Sequence, residues 1–423
     1  MSLIEETTKG LLGTLVTWDD VQEDCFKVFG ESAKLGSRKT IKDIADGKGF
    51  VSRIGVVEDP WDDAALAEYN SCPKKFVVKM ATALQQEKYQ KQLESDIGTD
   101  KKFMDDDGVA ENIKVIKRIH NVECAIYEKL ADVDDLPKLK VYASHPFSKE
   151  NPNSGYLIME FVENLTNMGN ENYLEEDVIL QILKALAKYH SCSLLFDKEE
   201  KEKFTIGIVK NLFGTMLAPA FVDTCLELVD KFMGEGSEKT VDQLRKCVAV
   251  IATEENKEKF DMMAELTGMQ RVLCHGDPWT CNVICTASPL KLHALIDLQT
   301  THFGCMGHDL ARLFSNVLRY EDRQEKAAHY IDRYFEYFTS YWPHDVELPY
   351  TKEQIFRSYE AYLPLSSYIV AVSIAALGEM RCKQSDKPEE TRKIIQKKVT
   401  DLTKNMEEKL SCLESIDLNK EFH

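Results

Sequence analysis

Residues 272–314 read VLCHGDPWTCNVICTASPLKLHALIDLQTTHFGCMGHDLARLF and bring together His275, His302, His308, four cysteines, three aspartates and one asparagine. Within HGDPWTCN, His275, Asp277 and Asn282 stand at relative positions 0, 2 and 7, and Asp297 follows fifteen residues after Asn282. A carboxylate before a loop, an amide five residues on and a second carboxylate after a hairpin suit phosphoryl transfer. One carboxylate orients the attacking hydroxyl and accepts its proton, while an amide oxygen and the other carboxylate hold Mg²⁺ against nucleotide phosphates. Mg²⁺ is a hard cation that takes oxygen ligands, so Asn282 with Asp297 is a suitable pair. An ordinary turn with Asx caps accounts for the short motif as well.

The same stretch raises two other chemistries. Cys274, His275, Cys281, Cys285, His302, Cys305 and His308 could offer zinc ligands, but their spacing matches no chelating pattern such as a doubled CxxC. A cysteine nucleophile, Cys274 or Cys281 beside a histidine, lacks a visible activating constellation.

A second set lies nearer the N-terminus. Gly47 and Gly49 precede a strand-like run, and Ser52 follows within it. A loop with little side chain lets backbone N–H groups approach phosphates, although a plain hairpin turn also explains the glycines. Lys79 sits at the end of the apolar FVVKM, and Glu123 lies in the helical IHNVECAIYEKL on the side of Tyr127. A solvated strand end and a solvent-facing helix charge are the bland alternatives. The order carries more than any member: glycine loop, strand lysine, helix glutamate, apolar strand into a linker, then the Asp/Asn/Asp set. That is the order of a protein-kinase-like fold.

The elements that must position these residues follow from periodicity. Residues 18–29 place Trp18, Val21, Cys25, Phe26 and Phe29 at helical spacing. Strand-like runs at 49–58, 74–80, 138–144 and 155–162, with a helix over 110–130, predict a small β-rich lobe. Residues 85–108 read as a charged surface helix and loop. Residues 175–265 are nearly all helical in pattern, strand-like RVLCHGD, NVICT and LHALIDLQ interrupt, and helical patterns run to the end. The expected fold class is therefore α+β, bilobal, with a β-rich N-terminal lobe over 1–162 and a mainly helical C-terminal lobe over 163–423.

At 423 residues the chain suits two lobes rather than one small core. A hydrophobic fraction of 43% with 29% charged residues is that of a soluble globular protein. A formal net charge of −18 argues against sequence-independent nucleic-acid binding and against an anionic membrane surface, so neither is expected as a partner. The start, MSLIEETTKGLL, lacks a basic region followed by an apolar run, and YIVAVSIAAL (368–377) is too short to span a bilayer. Twelve scattered cysteines read as reduced, mostly buried thiols, which points to a cytoplasmic location.

HGDPWTCN, LIDLQTTHFGCMGHDLARL and ALAKYHSCSL resemble the choline kinase and aminoglycoside phosphotransferase superfamily. The resemblance is closest to the CHK-kinase-like group that includes insect ecdysteroid kinases. GKGFVSRIGVVEDPW, CPKKFVVKM and HNVECAIYEKL look like its nematode branch. The resemblance covers about residues 15–415 and implies an ATP- and Mg²⁺-dependent small-molecule kinase. It implies Asp277 as the catalytic base, Asn282 and Asp297 as Mg²⁺ ligands, and Lys79 on the α/β-phosphates paired with Glu123. It further implies Gly47, Gly49 and Ser52 over the phosphates, and Met159–Val162 as the hinge that meets adenine, with Glu160 and Val162 at its contacts. His275 would support the loop and Asp309 would anchor the following helix. Residues 298–308 leave no room for a protein-kinase activation segment, so the expected partner is a small hydroxyl acceptor: a steroid, glycoside, choline-like or xenobiotic alcohol. The aromatics after residue 310 could line its pocket, or simply pack helices. A kinase-like scaffold or sensor that binds nucleotide without turnover is the alternative.

Overall fold

The computed structural model describes residues 10–44, 51–62, 72–83, 106–169 and 171–419. The fold is α+β, with a β-rich N-terminal unit and a mainly helical C-terminal unit. The first unit comprises Met1–Val133 with Leu139–Glu163, the second Asp134–Lys138 with Asn164–His423.

The first unit opens with α1 (Trp18–Phe29). Thr17 and Asp20 cap it reciprocally, and Gly30, at φ 96°, ends it in a conformation that glycine adopts without steric cost. Five strands follow: β1 (Thr40–Asp43), β2 (Ser52–Glu58), β3 (Lys75–Ala81), β4 (Val141–His145) and β5 (Tyr156–Glu160). They form one antiparallel sheet in the order β1-β2-β3-β5-β4, with α2 (Asp106–Lys129) inserted in the chain between β3 and β4. β3 is central and buried from Phe76 onward, which is why its sequence is apolar on both faces. Phe76, Val78, Met80, Tyr156 and Ile158 pack with Val21 and Cys25 of α1 into this unit's core.

The second unit carries two small antiparallel sheets. One joins β6 (Leu165–Asn167), β8 (Val283–Ala287) and β9 (Leu290–Leu295), and the other pairs β7 (Val272–Cys274) with β10 (His302–Gly304). Its longer helices are α3 (Glu176–Ser191), α4 (Pro219–Met233), α5 (Glu238–Ile251), α6 (Gly307–Val317), α7 (Tyr320–Tyr341), α8 (Lys352–Ala376) and α9 (Pro388–Glu414). Every residue of α6 is buried, and α8 holds most of YIVAVSIAAL in the core. Among the described residues no single helix is long and apolar enough to cross a membrane. All twelve cysteines are free, and nine of them are buried.

Three elements lack a local signal and were not expected from the sequence. β1 is short and alternates between exposed and half-buried residues, while β6 and β10 have three residues each and form through distant partners. The charged stretch expected as surface helix and loop ends inside α2, which already begins at Asp106. Most of that stretch lies outside the described residues.

Candidate active site

In the first unit, Lys79 sits in the middle of the sheet, opposite Ile54 of β2 and Leu157 of β5. Its ammonium reaches α2, where both carboxylate oxygens of Glu123 lie 2.7 Å from Nζ. Glu123 is 1% exposed, so neither the solvated strand end nor the solvent-facing helix charge describes this pair. The buried ion pair fixes the lysine's direction, and losing either partner would remove the other's close counter-charge. Ser52 is buried and opens β2 opposite Ala81. Glu160 closes β5: its N–H donates to the Lys140 carbonyl at 2.9 Å, and its carboxylate accepts from the Lys140 N–H at 2.8 Å. Phe161 and Val162 leave the strand half-buried. Gly47 and Gly49 lie outside the described residues.

In the second unit, β7 ends at Cys274 and delivers His275, Gly276 and Asp277 into a loop that closes with a turn of 3₁₀ helix at Thr280–Asn282. Gly276 has φ 87°, and a Cβ there would stand 2.3 Å from the Thr300 carbonyl oxygen, so only glycine fits. Asn282 donates through Nδ2 to the Asp277 carbonyl (2.9 Å) and to Asp277 Oδ2 (3.2 Å). Asp297 follows β9 in a left-handed conformation, φ 66° and ψ 59°, which an aspartate tolerates better than most residues. Its Oδ2 accepts from Gln299 Nε2 at 3.1 Å.

Ile296 stitches the loop to the hairpin. Its N–H donates to the Asn282 carbonyl, and its own carbonyl accepts from His275 Nε2, both at 3.0 Å. His275 Nδ1 in turn accepts from the Asp277 N–H at 3.3 Å. Because a carbonyl only accepts and an amide N–H only donates, these bonds select the neutral Nε2–H tautomer. Asp277, Asn282 and the residue preceding Asp297 are thus held in one hydrogen-bonded unit through His275.

Asp309 supports this unit from the first turn of α6. Its Oδ2 accepts from the His275 N–H (2.7 Å) and from His190 Nε2 (3.0 Å), and its Oδ1 accepts from the Gly276 N–H (2.9 Å). Burial is the largest single influence and opposes its charge, but the His190 hydrogen bond and the electrostatic contributions of His190, His308 and His275 together outweigh it and hold the carboxyl well below the usual range. His190, on α3, accepts or donates at Nδ1 to the Tyr334 hydroxyl, 2.6 Å away. One turn along α6, Arg312 Nε donates to Asp277 Oδ1 at 2.8 Å, with its guanidinium 5.0 Å over the Trp279 ring. The Asp277 carboxylate is therefore oriented by Arg312 on one oxygen and Asn282 on the other.

Sequence reasoning gave His190 and Arg312 no role. The available signal was an ionisable residue inside an apolar helical run, which must find a partner once buried. The aromatics after residue 310 serve mainly as core: Tyr330, Tyr334, Phe338, Trp342, Tyr359, Tyr362 and Tyr368 are buried.

The cysteines and histidines do not assemble as their sequence positions invited. Among the described residues, the group whose ligand atoms converge is His190, Cys274 and Asp309, all buried. The atoms of His190 and Asp309 are engaged in the hydrogen bonds above, and burial pushes the Cys274 thiol well up, away from the thiolate that zinc or nucleophilic chemistry needs. Burial pushes His308 down to about 3.

Comparison with known proteins gives a family and a set of distant folds. No curated protein sequence matched the chain. Among solved structures it is similar to an ethanolamine kinase from Plasmodium vivax, with 15% identity, 87% of this chain and 82% of that one covered, and a TM-score of 0.41. It is similar to a choline kinase from Cryptosporidium parvum, with 12% identity, coverages of 92% and 95%, and a TM-score of 0.46. It is also similar to an aminoglycoside phosphotransferase from Alicyclobacillus acidocaldarius, with 12% identity, coverages of 90% and 93%, and a TM-score of 0.41. The family model described as "Uncharacterized oxidoreductase dhs-27" (DUF1679) matches residues 4–411, nearly the whole chain, and the protein belongs to that family.

Proposed function

We propose that this protein is an ATP- and Mg²⁺-dependent phosphotransferase that moves the γ-phosphoryl group to a hydroxyl of a small molecule. The observation that carries this reading is the hydrogen-bonded unit of His275, Asp277, Asn282 and Ile296, which presents Asp297 at its end. In this reading Asp277 takes the proton of the attacking hydroxyl as its oxygen bonds to the γ-phosphorus and the bond to the β–γ bridging oxygen breaks. Arg312 and Asn282 hold the carboxylate in place for that transfer. Lys79, fixed by Glu123, takes the α/β-phosphates. Gly47, Gly49 and Ser52 would serve the same phosphates, and the Glu160–Val162 backbone would meet adenine.

The donor set fits Mg²⁺. Asn282 turns its Nδ2 toward Asp277, which leaves Oδ1 as its ligand atom, and Asp297 adds a second hard oxygen donor. When bound, the ion would neutralise phosphate charge. We place the chain in the choline kinase and aminoglycoside phosphotransferase superfamily, in its CHK-kinase-like nematode branch, and expect a cytoplasmic enzyme.

The family's description names an oxidoreductase. A dinucleotide-dependent oxidoreductase of the doubly wound type needs parallel strands and a glycine-rich strand-to-helix turn. Every strand pair among the described residues is antiparallel, so no observation here favours that reading.

Titration calorimetry with ATP tests the nucleotide half of the proposal. Binding should require Mg²⁺, and Lys79→Met should weaken it by about tenfold or more, which corresponds to about 1.4 kcal/mol. Asn282→Ala or Asp297→Asn should remove the Mg²⁺ requirement. Absence of binding by the wild type at millimolar Mg²⁺ and ATP would contradict it.

A further inference from the structure

Helices α7, α8 and α9 line a partly open cavity of about 60 Å³, bounded by Arg323, Gln324, Tyr359, Glu360, Asn405 and Lys409, among others. One water needs about 10–15 Å³ of such space, so the cavity admits a group several times larger.

Its polar lining is short of acceptors. Arg323 is 4% exposed, and Nη1 donates to the Leu318 carbonyl at 2.5 Å. Among the described residues, its Nε and Nη2 have no hydrogen-bond partner and no carboxylate forms an ion pair with it. The buried Tyr359 hydroxyl also has no hydrogen-bond partner among the described residues. The other lining groups are engaged with each other or with neighbours. Gln324 Nε2 donates to Asn405 Oδ1 (3.2 Å), Asn405 Nδ2 donates to Ser367 Oγ (3.3 Å), and Lys409 Nζ holds Glu360 Oε1 (2.5 Å). Two cations and one carboxylate leave the lining one positive charge in excess. Beyond the lining, burial first and then the charge of Arg323 push Lys398 of α9 down to about 7, which weakens its hold on a proton, while Asp401 and Glu321 act on Arg323 as negative charges.

A buried guanidinium with two unused N–H donors calls for a negatively charged acceptor. We propose that this cavity binds a compact anion, a halide or a small oxyanion, gripped by Arg323 Nε and Nη2 and by the Tyr359 hydroxyl. The anion would complete the junction of α7, α8 and α9. The site lies outside the Asp277 constellation and does not depend on the proposed phosphotransfer.

The test uses the full chain at constant ionic strength, with gluconate, too large for the cavity, as the reference anion. Chloride, formate and phosphate are titrated in turn while the melting temperature is followed. A saturable rise with at least one of the three is expected; chloride alone would identify a halide site, and formate or phosphate an oxyanion site. The apparent affinity should fall about tenfold or more in Arg323→Gln and severalfold in Tyr359→Phe, the milder change that keeps the test open if the arginine variant does not fold. In bromide-soaked crystals, anomalous density should sit within hydrogen-bond reach of Arg323. A response identical to that of gluconate, affinities unchanged in Tyr359→Phe, or a cavity holding waters only would each overturn the proposal.

Discussion

Replacing Asp309 with asparagine removes the charge that holds the HGD loop while keeping the shape of the side chain. The carboxylate accepts three hydrogen bonds, from the His275 and Gly276 amides and from His190 Nε2. Asparagine retains one acceptor oxygen, and its NH₂ group must face at least one of those donors. One charge-assisted bond worth about 1.5–3 kcal/mol disappears, a buried donor is left unsatisfied at about 1–3 kcal/mol, and the remaining bonds become neutral ones. The expected loss is about 3–6 kcal/mol, a large part of the stability of an ordinary domain. Native-state hydrogen exchange in urea, resolved to peptides covering 272–314, reads this directly. The pH dependence follows from the lowered carboxyl. A depressed folded-state value gives stability that is present above the ordinary value of 3.8 and is lost as the pH falls below it. The gap between wild type and Asp309→Asn should therefore be constant near neutrality and narrow in acid. A loss under about 1.5 kcal/mol, or a gap independent of pH down to acid unfolding, would refute the claim that this carboxylate organises the loop.

Two further predictions rest on buried charge. Lys79→Met should cost about 3–5 kcal/mol in denaturant unfolding of the first unit, because it removes the close counter-charge of the buried Glu123 carboxylate, and Lys79→Met with Glu123→Leu should recover most of that. Lys398, lowered from 10.5 to about 7, binds its proton more weakly in the folded than in the unfolded chain, so stability should rise with pH between those values. The slope is about 1.4 kcal/mol per pH unit and should vanish in Lys398→Met, as unfolding at pH 7.5, 8.5 and 9.5 would show.

Much of the architecture is legible in the sequence because it is local. The helical spacing over 18–29 matches α1 residue for residue, and the apolar FVVKM lies in a strand buried on both faces. What was not legible depends on distant partners. β6 and β10 are three-residue strands that exist only because β8 and β7 lie beside them. For the candidate site, the sequence offered the members but not the connections. His190 and Arg312 lie 119 and 35 residues from the carboxylates they bind, Asp309 and Asp277. Nor does composition reveal that Ile296 joins the loop to the hairpin, since it contributes only its backbone. The histidines and cysteines that stand out in the sequence are largely packing groups, with His275 the exception as the hydrogen-bonding bridge.

The central claim is that Asp277 accepts a proton during phosphoryl transfer from ATP to a small hydroxyl acceptor. Incubating the protein with γ-labelled ATP, Mg²⁺ and a metabolite extract, beside Asp277→Asn, tests it most directly. A labelled small-molecule product is expected from the wild type and not from the variant. Label transfer by both proteins would contradict the role of Asp277, and no transfer by a wild type that binds ATP would identify a nucleotide-binding scaffold in place of an enzyme.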